Sequence, residues 1–199
     1  MTDTVTRSRA RTYFIKDNRS WSWGRIFVHS GRSKSGMDWA YVAIVSDFGT
    51  YGHLWNHMGE PYQDFLSSVD FDYAMNKLTE GRYLAFDLDY AVKTLRQWTL
   101  ETRREGAITA EDAREFFDLL ADLEAEGVAD EGLFAHRLSH GTSLYHSCYL
   151  WDFSFRRPTA ASRHFWGEVW LPFAEHLRRE HRIRRNHPAT AALPDLHAP

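Results

Sequence analysis

A histidine-rich segment, HRLSHGTSLYHSC at residues 136–148, carries the side chains most suited to chemistry. His136 and His140 are four residues apart, so a helix here would place them one turn apart on the same face. His146 and Cys148 would complete four ligands if the chain returned as a strand, and Zn²⁺ binds imidazole and thiolate. The glutamate that serves a zincin as general base is missing beside the first histidine. A metal-dependent hydrolase is therefore one hypothesis, and ordinary surface or capping histidines are the alternative.

The thiol of Cys148 could also act as a nucleophile. Activation requires a nearby base and an accessible site. The surrounding sequence, SLYHSCYLWDF, is rich in aromatic residues, as expected of a packed strand. This pattern favours a buried, unreactive cysteine.

A second histidine pair flanks a tryptophan in HLWNH, at His53 and His57. On a strand, a spacing of four residues puts the two rings on one face about 13 Å apart. That distance is too long for a shared metal unless the chain turns between them. We therefore expect one partly exposed strand histidine and one loop histidine.

Charge is distributed unevenly along the chain, although the overall charge is only −3. Residues 60–131 hold 18 acidic and 7 basic side chains, net −11, whereas residues 1–59 and 132–199 are each net +4. If these carboxylates lie on an exposed helical surface, that negative surface can bind in a basic groove of a partner protein. Aromatic side chains would then supply the specificity of binding. The predicted partner-binding residues are Glu101, Glu105, Glu111, Glu115, Asp118, Asp122, Glu126 and, as an aromatic available for the core or a partner, Trp55.

Two basic runs offer a different function. RSRAR at residues 7–11 and RREHRIRR at residues 178–185 could contact the phosphates of a nucleic acid. Neither run is interleaved with a recognisable base-reading motif. Nucleic-acid binding is therefore a further alternative.

The elements that would position these side chains begin with strands. The period-two pattern predicts strands over Thr12–Asp17, Trp23–Ser30, Asp38–Val45 and Tyr51–His57 in an antiparallel meander. Both faces of the third strand are apolar, which predicts a strand buried on both sides. Ser46–Tyr51 has the chemistry of a hairpin turn, with Gly49 able to take positive φ.

Helical periodicity follows from Pro61 onward. Two short helices are predicted with Asp70 as a cap between them, and a longer helix from about Asp87. Thr109 begins a capping pattern for the next helix. The last helix begins near Pro158 and carries an apolar stripe, and a glycine and a proline are expected to divide it. The stripe comprises Phe165, Val169, Phe173 and Leu177.

These elements predict an α+β protein, with an N-terminal antiparallel sheet followed by a helical C-terminal part. We expect a flexible arm at residues 1–11, a single domain at 12–183 (sheet 12–57, helical part 61–183) and a flexible tail at 184–199. The single cysteine and the lack of a signal-like or membrane-spanning apolar run predict a cytoplasmic protein.

Three segments, WGRIFV, SDFGTYGHLW and DFLSSVDFDYAMNKL, resemble a family of small proteins encoded by tailed phages and prophages. The resemblance is densest over residues 21–78. It implies a phage context and brings no established reaction. The matching positions are Trp23, Gly24, Ser46, Asp47, Gly49, Tyr51, Trp55, Phe65, Leu66, Asp72, Tyr73, Lys77 and Leu78.

The resemblance and the charge pattern together predict a non-enzymatic accessory protein in the cytoplasm of an infected or lysogenic host. Its expected partner is a host protein or ribonucleoprotein, such as an antiviral-defence (CRISPR-Cas) component that an anti-CRISPR protein would inhibit. No cofactor and no membrane contact are expected.

Overall fold

The computed structural model describes residue 5 and residues 7–147, 150 and 153–186. The structure is 51% helical and 24% strand, with a four-stranded antiparallel sheet followed by helices, which confirms the predicted α+β class. The chain divides into two compact units: unit 1 comprises Met1–Tyr83 and Thr159–Pro199, and unit 2 comprises Leu84–Pro158. The predicted single domain over residues 12–183, with its flexible arm and tail, stays a prediction.

Unit 1 begins with a meander in which each strand pairs antiparallel with the next. The strands are β1 (Arg11–Lys16), β2 (Trp23–Arg32), β3 (Asp38–Ser46) and β4 (Gly49–Met58). The predicted strands agree with these bounds to within two residues at each end. Period-two alternation was therefore a sufficient signal for this part of the fold.

The β3–β4 hairpin turns at Asp47 and Phe48, because Ser46 pairs with Gly49. The Ser46 hydroxyl accepts from the Phe48 N–H at 3.3 Å and donates to the Gly49 carbonyl at 2.9 Å. Gly49 has φ +131°, which side chains other than glycine rarely adopt. The predicted turn and its glycine are confirmed.

One face of the sheet forms the core of unit 1. Ile26, Val42 and Ile44 are fully buried on this face. The C-terminal helices cover it: the ring of Tyr51 lies 4.5 Å from that of Phe165 between centroids. All four residues of the predicted apolar stripe of the last helix are buried.

The opposite face of the sheet is open, contrary to the prediction that β3 is buried on both sides. Tyr41 and Val45 are 47% and 42% exposed. An apolar pattern on both faces of a strand shows what could be buried, and the number of covering layers depends on the rest of the chain. Here helices pack on one face only among the described residues.

The helices of unit 1 begin and end as their local chemistry dictates. Asp70 caps α2 (Phe71–Thr79) by accepting from the Tyr73 N–H, and Thr159 caps α7 (Ala160–Phe165) by accepting from the Ser162 N–H. The predicted division of the last helix is a π-helical turn, Trp166–Trp170, which contains the glycine. The helices are α1 (Tyr62–Ser68), α2 (Phe71–Thr79), α7 (Ala160–Phe165) and α8 (Leu171–Asn186).

Unit 2 has its own apolar core. Its first and last segments, β5 (Leu84–Phe86) and β6 (Arg156–Pro158), pair antiparallel with each other. Between them, helices bury Leu95, Phe116, Leu120 and Phe134 in one cluster. The elements are β5 (Leu84–Phe86), α3 (Leu88–Arg104), α4 (Ala110–Glu126), α5 (Glu131–Gly141), α6 (Leu144–Ser147) and β6 (Arg156–Pro158).

None of the helices in the described part of the chain has both the length and the apolar composition that a membrane span requires.

Candidate partner-binding surface

Helix α4 is fixed at both ends by its own sequence. The Thr109 hydroxyl accepts from the Asp112 N–H at 3.1 Å, and the Asp112 carboxylate accepts from the Thr109 N–H at 3.1 Å. This is the reciprocal capping box that the sequence predicted, with aspartate in place of the usual glutamate. Gly127 ends the helix in the left-handed conformation, with φ +66°. The rotational phase of α4 is therefore well defined.

Two opposite stripes run along α4. Phe116, Leu120 and Leu123 are fully buried in the core of unit 2. At about 100° per residue, five carboxylates fall within an arc of about 80° on the opposite side of the helix. We call these five residues the acidic stripe: Glu111, Glu115, Asp118, Asp122 and Glu126.

All seven predicted acidic positions are exposed. One of them is firmly paired: Arg137 donates two hydrogen bonds to Glu126, at 2.8 and 2.9 Å. Glu101 lies in the last turn of α3 and accepts from Gln97, and Glu105 is the C-cap of that helix. Exposure satisfies one requirement of a partner-binding surface, and the binding role of these residues stays a prediction.

The acidic stripe is electrostatically unfavourable within the isolated helix. Helix α4 contains seven acidic residues and one basic residue. Like charges three or four residues apart destabilise a helix by about 0.2–0.5 kcal/mol per pair. Its last turn holds no basic residue, although the helix dipole favours cations there. A cationic partner would relieve both effects.

Trp55 is in the core and does not belong to the acidic surface. It is 4% exposed, and its ring lies 6.1 Å from that of Phe65 in unit 1. The position on β4 explains the burial, because Trp55 pairs with buried Ala40 on the covered face of the sheet. Of the two roles that the sequence allowed, core packing is observed, and a partner-binding role for Trp55 stays a prediction.

The histidine pair of α5 adopts the predicted spacing. The rings of His136 and His140 lie 4.1 Å apart between centroids, and both side chains are exposed. Nδ1 of His140 lies 2.9 Å from the His136 carbonyl oxygen and 3.0 Å from the Ser139 hydroxyl. These are local contacts near the C-terminus of α5, of the kind that a capping histidine makes.

The rest of the predicted ligand set differs from expectation or lies outside the described residues. Residues 144–147 form the short helix α6 where a strand was predicted. The side chain of His146 and the whole of Cys148 lie outside the described residues. Within the described residues, no three His, Cys, Asp or Glu side chains are arranged to hold a metal ion. The four-ligand hypothesis and the state of the thiol stay predictions.

His53 and His57 both lie on β4, where the chain does not turn. A register shift in the β3–β4 pairing falls between Trp55 and Met58, which places His57 in a bulge. Burial, and then the charge of Lys77, lower the pKa of His53 below its ordinary value. His57 is exposed. The expected partly exposed strand histidine is confirmed at His53. The expectation of a loop histidine is wrong, because β4 extends to Met58 and includes His57.

One polar network was not predicted. In unit 1, the Glu168 carboxylate accepts from the hydroxyls of Ser22 at 2.6 Å and Ser20 at 2.7 Å, and its other oxygen lies 2.7 Å from Nδ1 of His164. These hydrogen bonds, from Ser22 first, lower the pKa of Glu168 to about 2. In a catalytic triad the histidine contacts the serine and removes its proton, whereas here the glutamate lies between serine and histidine. The network therefore does not activate a serine hydroxyl, and it anchors the loop at residues 20–22. Ser22 and Glu168 are 146 residues apart in the sequence, so no local sequence pattern predicted their contact.

The basic runs are partly occupied by internal contacts. Arg11 donates to the Tyr62 hydroxyl, Arg178 donates to the Ser67 carbonyl, and Arg179 pairs with Glu175. The second run lies within α8, which extends to Asn186, so the helix includes the first residues of the predicted tail. Direct nucleic-acid binding through these arginines stays a prediction.

Comparison with known proteins gives one positive result. A family model described as a phage family matches residues 3–179. No curated protein and no solved structure matches the chain. Because the match extends over most of the sequence, the chain belongs to this phage family.

Proposed function

We propose that this phage-family protein is a non-enzymatic binding protein, and that the acidic stripe of α4 binds a basic surface of a host protein or ribonucleoprotein. The observation that carries the proposal is the alignment of five exposed carboxylates along one side of α4, about 130° around the helix from the centre of its buried stripe. A core-packing role does not require charge of one sign at these positions. A surface that binds a cationic partner does require it.

The energetics support the same function. The stripe costs the helix stability, because its carboxylates repel one another and oppose the dipole of the last turn. A partner rich in Lys or Arg converts this repulsion into attraction and speeds diffusional encounter. The cost in the free protein is thus matched by a gain in the complex.

The partner class follows from the chemistry that would recognise the stripe. Grooves that hold DNA or RNA are lined with Lys and Arg, which neutralise phosphates. The acidic stripe offers carboxylates to such a groove. A nucleic-acid-binding component of antiviral defence, including a CRISPR-Cas effector, is a partner of this chemistry, and we propose that the protein modulates or inhibits such a component.

The test starts with capture of partners from a natural bacterial host, followed by purification of each candidate. Reversal of three stripe residues, Glu115→Lys, Asp118→Lys and Asp122→Lys, should slow association by about tenfold or more at low salt and flatten its salt dependence. Binding should weaken while the circular dichroism spectrum stays unchanged, since these positions do not contact the core.

A second triple variant controls for net charge. Glu60→Lys, Glu80→Lys and Glu175→Lys change the charge by the same amount at exposed positions of unit 1. If both triple variants slow association equally, net charge alone explains the effect. If the stripe variant associates with the wild-type rate and salt dependence, the stripe is a solvated face and the proposal fails.

A further inference from the structure

The open face of the sheet in unit 1 presents aromatic and basic side chains in rows. The strand register places Phe14 of β1 beside Arg25 of β2 and Val45 of β3, and Tyr41 beside Leu54 of β4. Phe14 is 59% exposed and Leu54 45% exposed. These side chains project from the face that no helix among the described residues covers.

Trp21 extends this face at the β1–β2 connection. Its side chain is 74% exposed, and its backbone has φ +62°, a conformation uncommon for residues other than glycine. The flanking hydroxyls of Ser20 and Ser22 both donate to Glu168, which holds the strained segment in place. An exposed tryptophan in a strained, anchored loop is a feature of functional sites.

Cations already lie over the exposed rings. Nζ of Lys16 is 5.3 Å from the ring centroid of Trp21, and the guanidinium of Arg25 is 5.6 Å from that of Phe14. In the described part of the four strands, the open face carries no carboxylate. Carboxylates lie at the strand ends, where Asp17 accepts from the Arg19 N–H, Asp38 pairs with Arg32 and Asp47 accepts from the Trp23 N–H. Glu168 is occupied by the serines that flank Trp21. The face is therefore positive in a chain of net charge −3.

We propose that this open face binds single-stranded nucleic acid. Unpaired bases would stack on Trp21, Phe14 and Tyr41, while Lys16 and Arg25 would neutralise phosphates. Exposed rings can stack on the faces of unpaired bases, which a duplex keeps stacked on one another. The proposal is independent of the acidic stripe, which belongs to unit 2.

The small number of cations sets the expected salt dependence. For single strands, log K falls with log salt with a slope of about −0.7 per phosphate contact, so two contacts give a slope of about −1.4. Stacking supplies the remaining affinity and depends little on salt. Loss of one stacking ring should weaken binding about tenfold, within the range seen for base stacking on aromatic side chains.

The experiment measures fluorescence anisotropy of labelled twelve-nucleotide DNA and RNA strands of mixed sequence, and of the DNA duplex of the same sequence, with the full chain. We expect both single strands to bind more tightly than the duplex. Trp21→Ala and Phe14→Ala should each weaken binding about tenfold. The double variant Lys16→Ala with Arg25→Ala should reduce the slope of the salt dependence toward zero.

A matched pair elsewhere in unit 1 provides the control. Tyr73 of α2 is 40% exposed, and Nζ of Lys77 lies 5.8 Å from its ring centroid. Tyr73→Ala should leave binding unchanged. Equal losses in Tyr73→Ala and Trp21→Ala would overturn the proposal, as would duplex binding equal to single-strand binding. Absence of oligonucleotide binding, with Trp21→Ala instead weakening capture of a purified host protein, would assign the face to a protein partner and overturn it as well.

Discussion

Gly24 of β2 packs closely against Val169 of the π-helical turn in unit 1. A Cβ atom added to Gly24 would lie 2.4 Å from Cγ1 of Val169 and 3.1 Å from its Cγ2. Val169 is fully buried, and its β-branched side chain has few rotamers with which to move away. We therefore expect Gly24→Ala to force the strand and the turn apart.

The expected cost is that of overpacking a core, about 1–3 kcal/mol. Gly24 does not have positive φ, so backbone strain adds nothing to this figure. Replacing glycine in a strand interior by alanine contributes about 0.5–1 kcal/mol in the stabilising direction, which leaves a net loss in most of the range. For a chain of this length, each kcal/mol lowers Tm by about 2–4 °C.

Urea unfolding followed by tryptophan fluorescence measures this cost, and a double-mutant cycle assigns it to the contact. Val169→Ala alone should cost about 2 kcal/mol through lost burial. In combination, the two substitutions should cost at least about 1 kcal/mol less than their sum, because the smaller side chain makes room for the new methyl group.

Gly59→Ala is the control, because a Cβ added at Gly59 meets no atom within 4 Å. It should leave the urea midpoint unchanged or raise it slightly. If Gly24→Ala leaves the midpoint unchanged, or if its effect adds to that of Val169→Ala without coupling, the close packing of the π-helical turn on β2 is wrong.

Three further predictions concern other parts of the chain. Gly49→Val should lower the free energy of unfolding by about 1 kcal/mol or more, because valine strongly disfavours a φ of +131°; an unchanged urea midpoint would count against the hairpin geometry. Because the pKa of Glu168 is about 2 in the folded protein against an ordinary 4.5, its stabilising contribution is present above pH 4.5 and lost as the pH falls toward 2. The Tm advantage of the wild type over Glu168→Gln should therefore shrink across this interval, and a constant difference would contradict the role of the network. Replacing residues 85–157 by a short Gly-Ser linker should leave unit 1 folded, since Tyr83 and Thr159 are joined by a hydrogen bond of 2.9 Å; loss of the strand signal in circular dichroism would show that unit 1 needs unit 2.

Local signals in the sequence predicted the four strands of the large sheet and most of the helices, but not β5, β6 or α6. The hairpin at Ser46–Tyr51 and the caps at Asp70, Asp87 and Thr109 each depend on residues within a few positions of one another. The period of the apolar residues likewise gave the inward face of α4, and with it the exposure of the acidic stripe. These features are short-range, so they can be derived without knowledge of the rest of the fold.

Features that depend on distant parts of the chain were not predicted. The sequence of β3 is apolar on both faces, and only the folded structure shows that helices cover one face and leave Tyr41 on the other face exposed. The sequence around Trp55 did not indicate whether this residue lies on the covered or the open face of the sheet. The contact between Ser22 and Glu168 joins residues 146 positions apart. In each case the deciding interaction is tertiary.

The order of the elements has a consequence for synthesis on the ribosome. The sheet of unit 1 is complete at Met58, but the buried stripe that covers it ends at Leu177, roughly 120 residues later. At about 5–20 residues per second, the apolar face of the nascent sheet would wait about 6–24 s for its cover, while unit 2 is made in between. Transiently exposed apolar surface of this kind is prone to aggregation, so faster translation should shorten the interval in which the sheet is at risk.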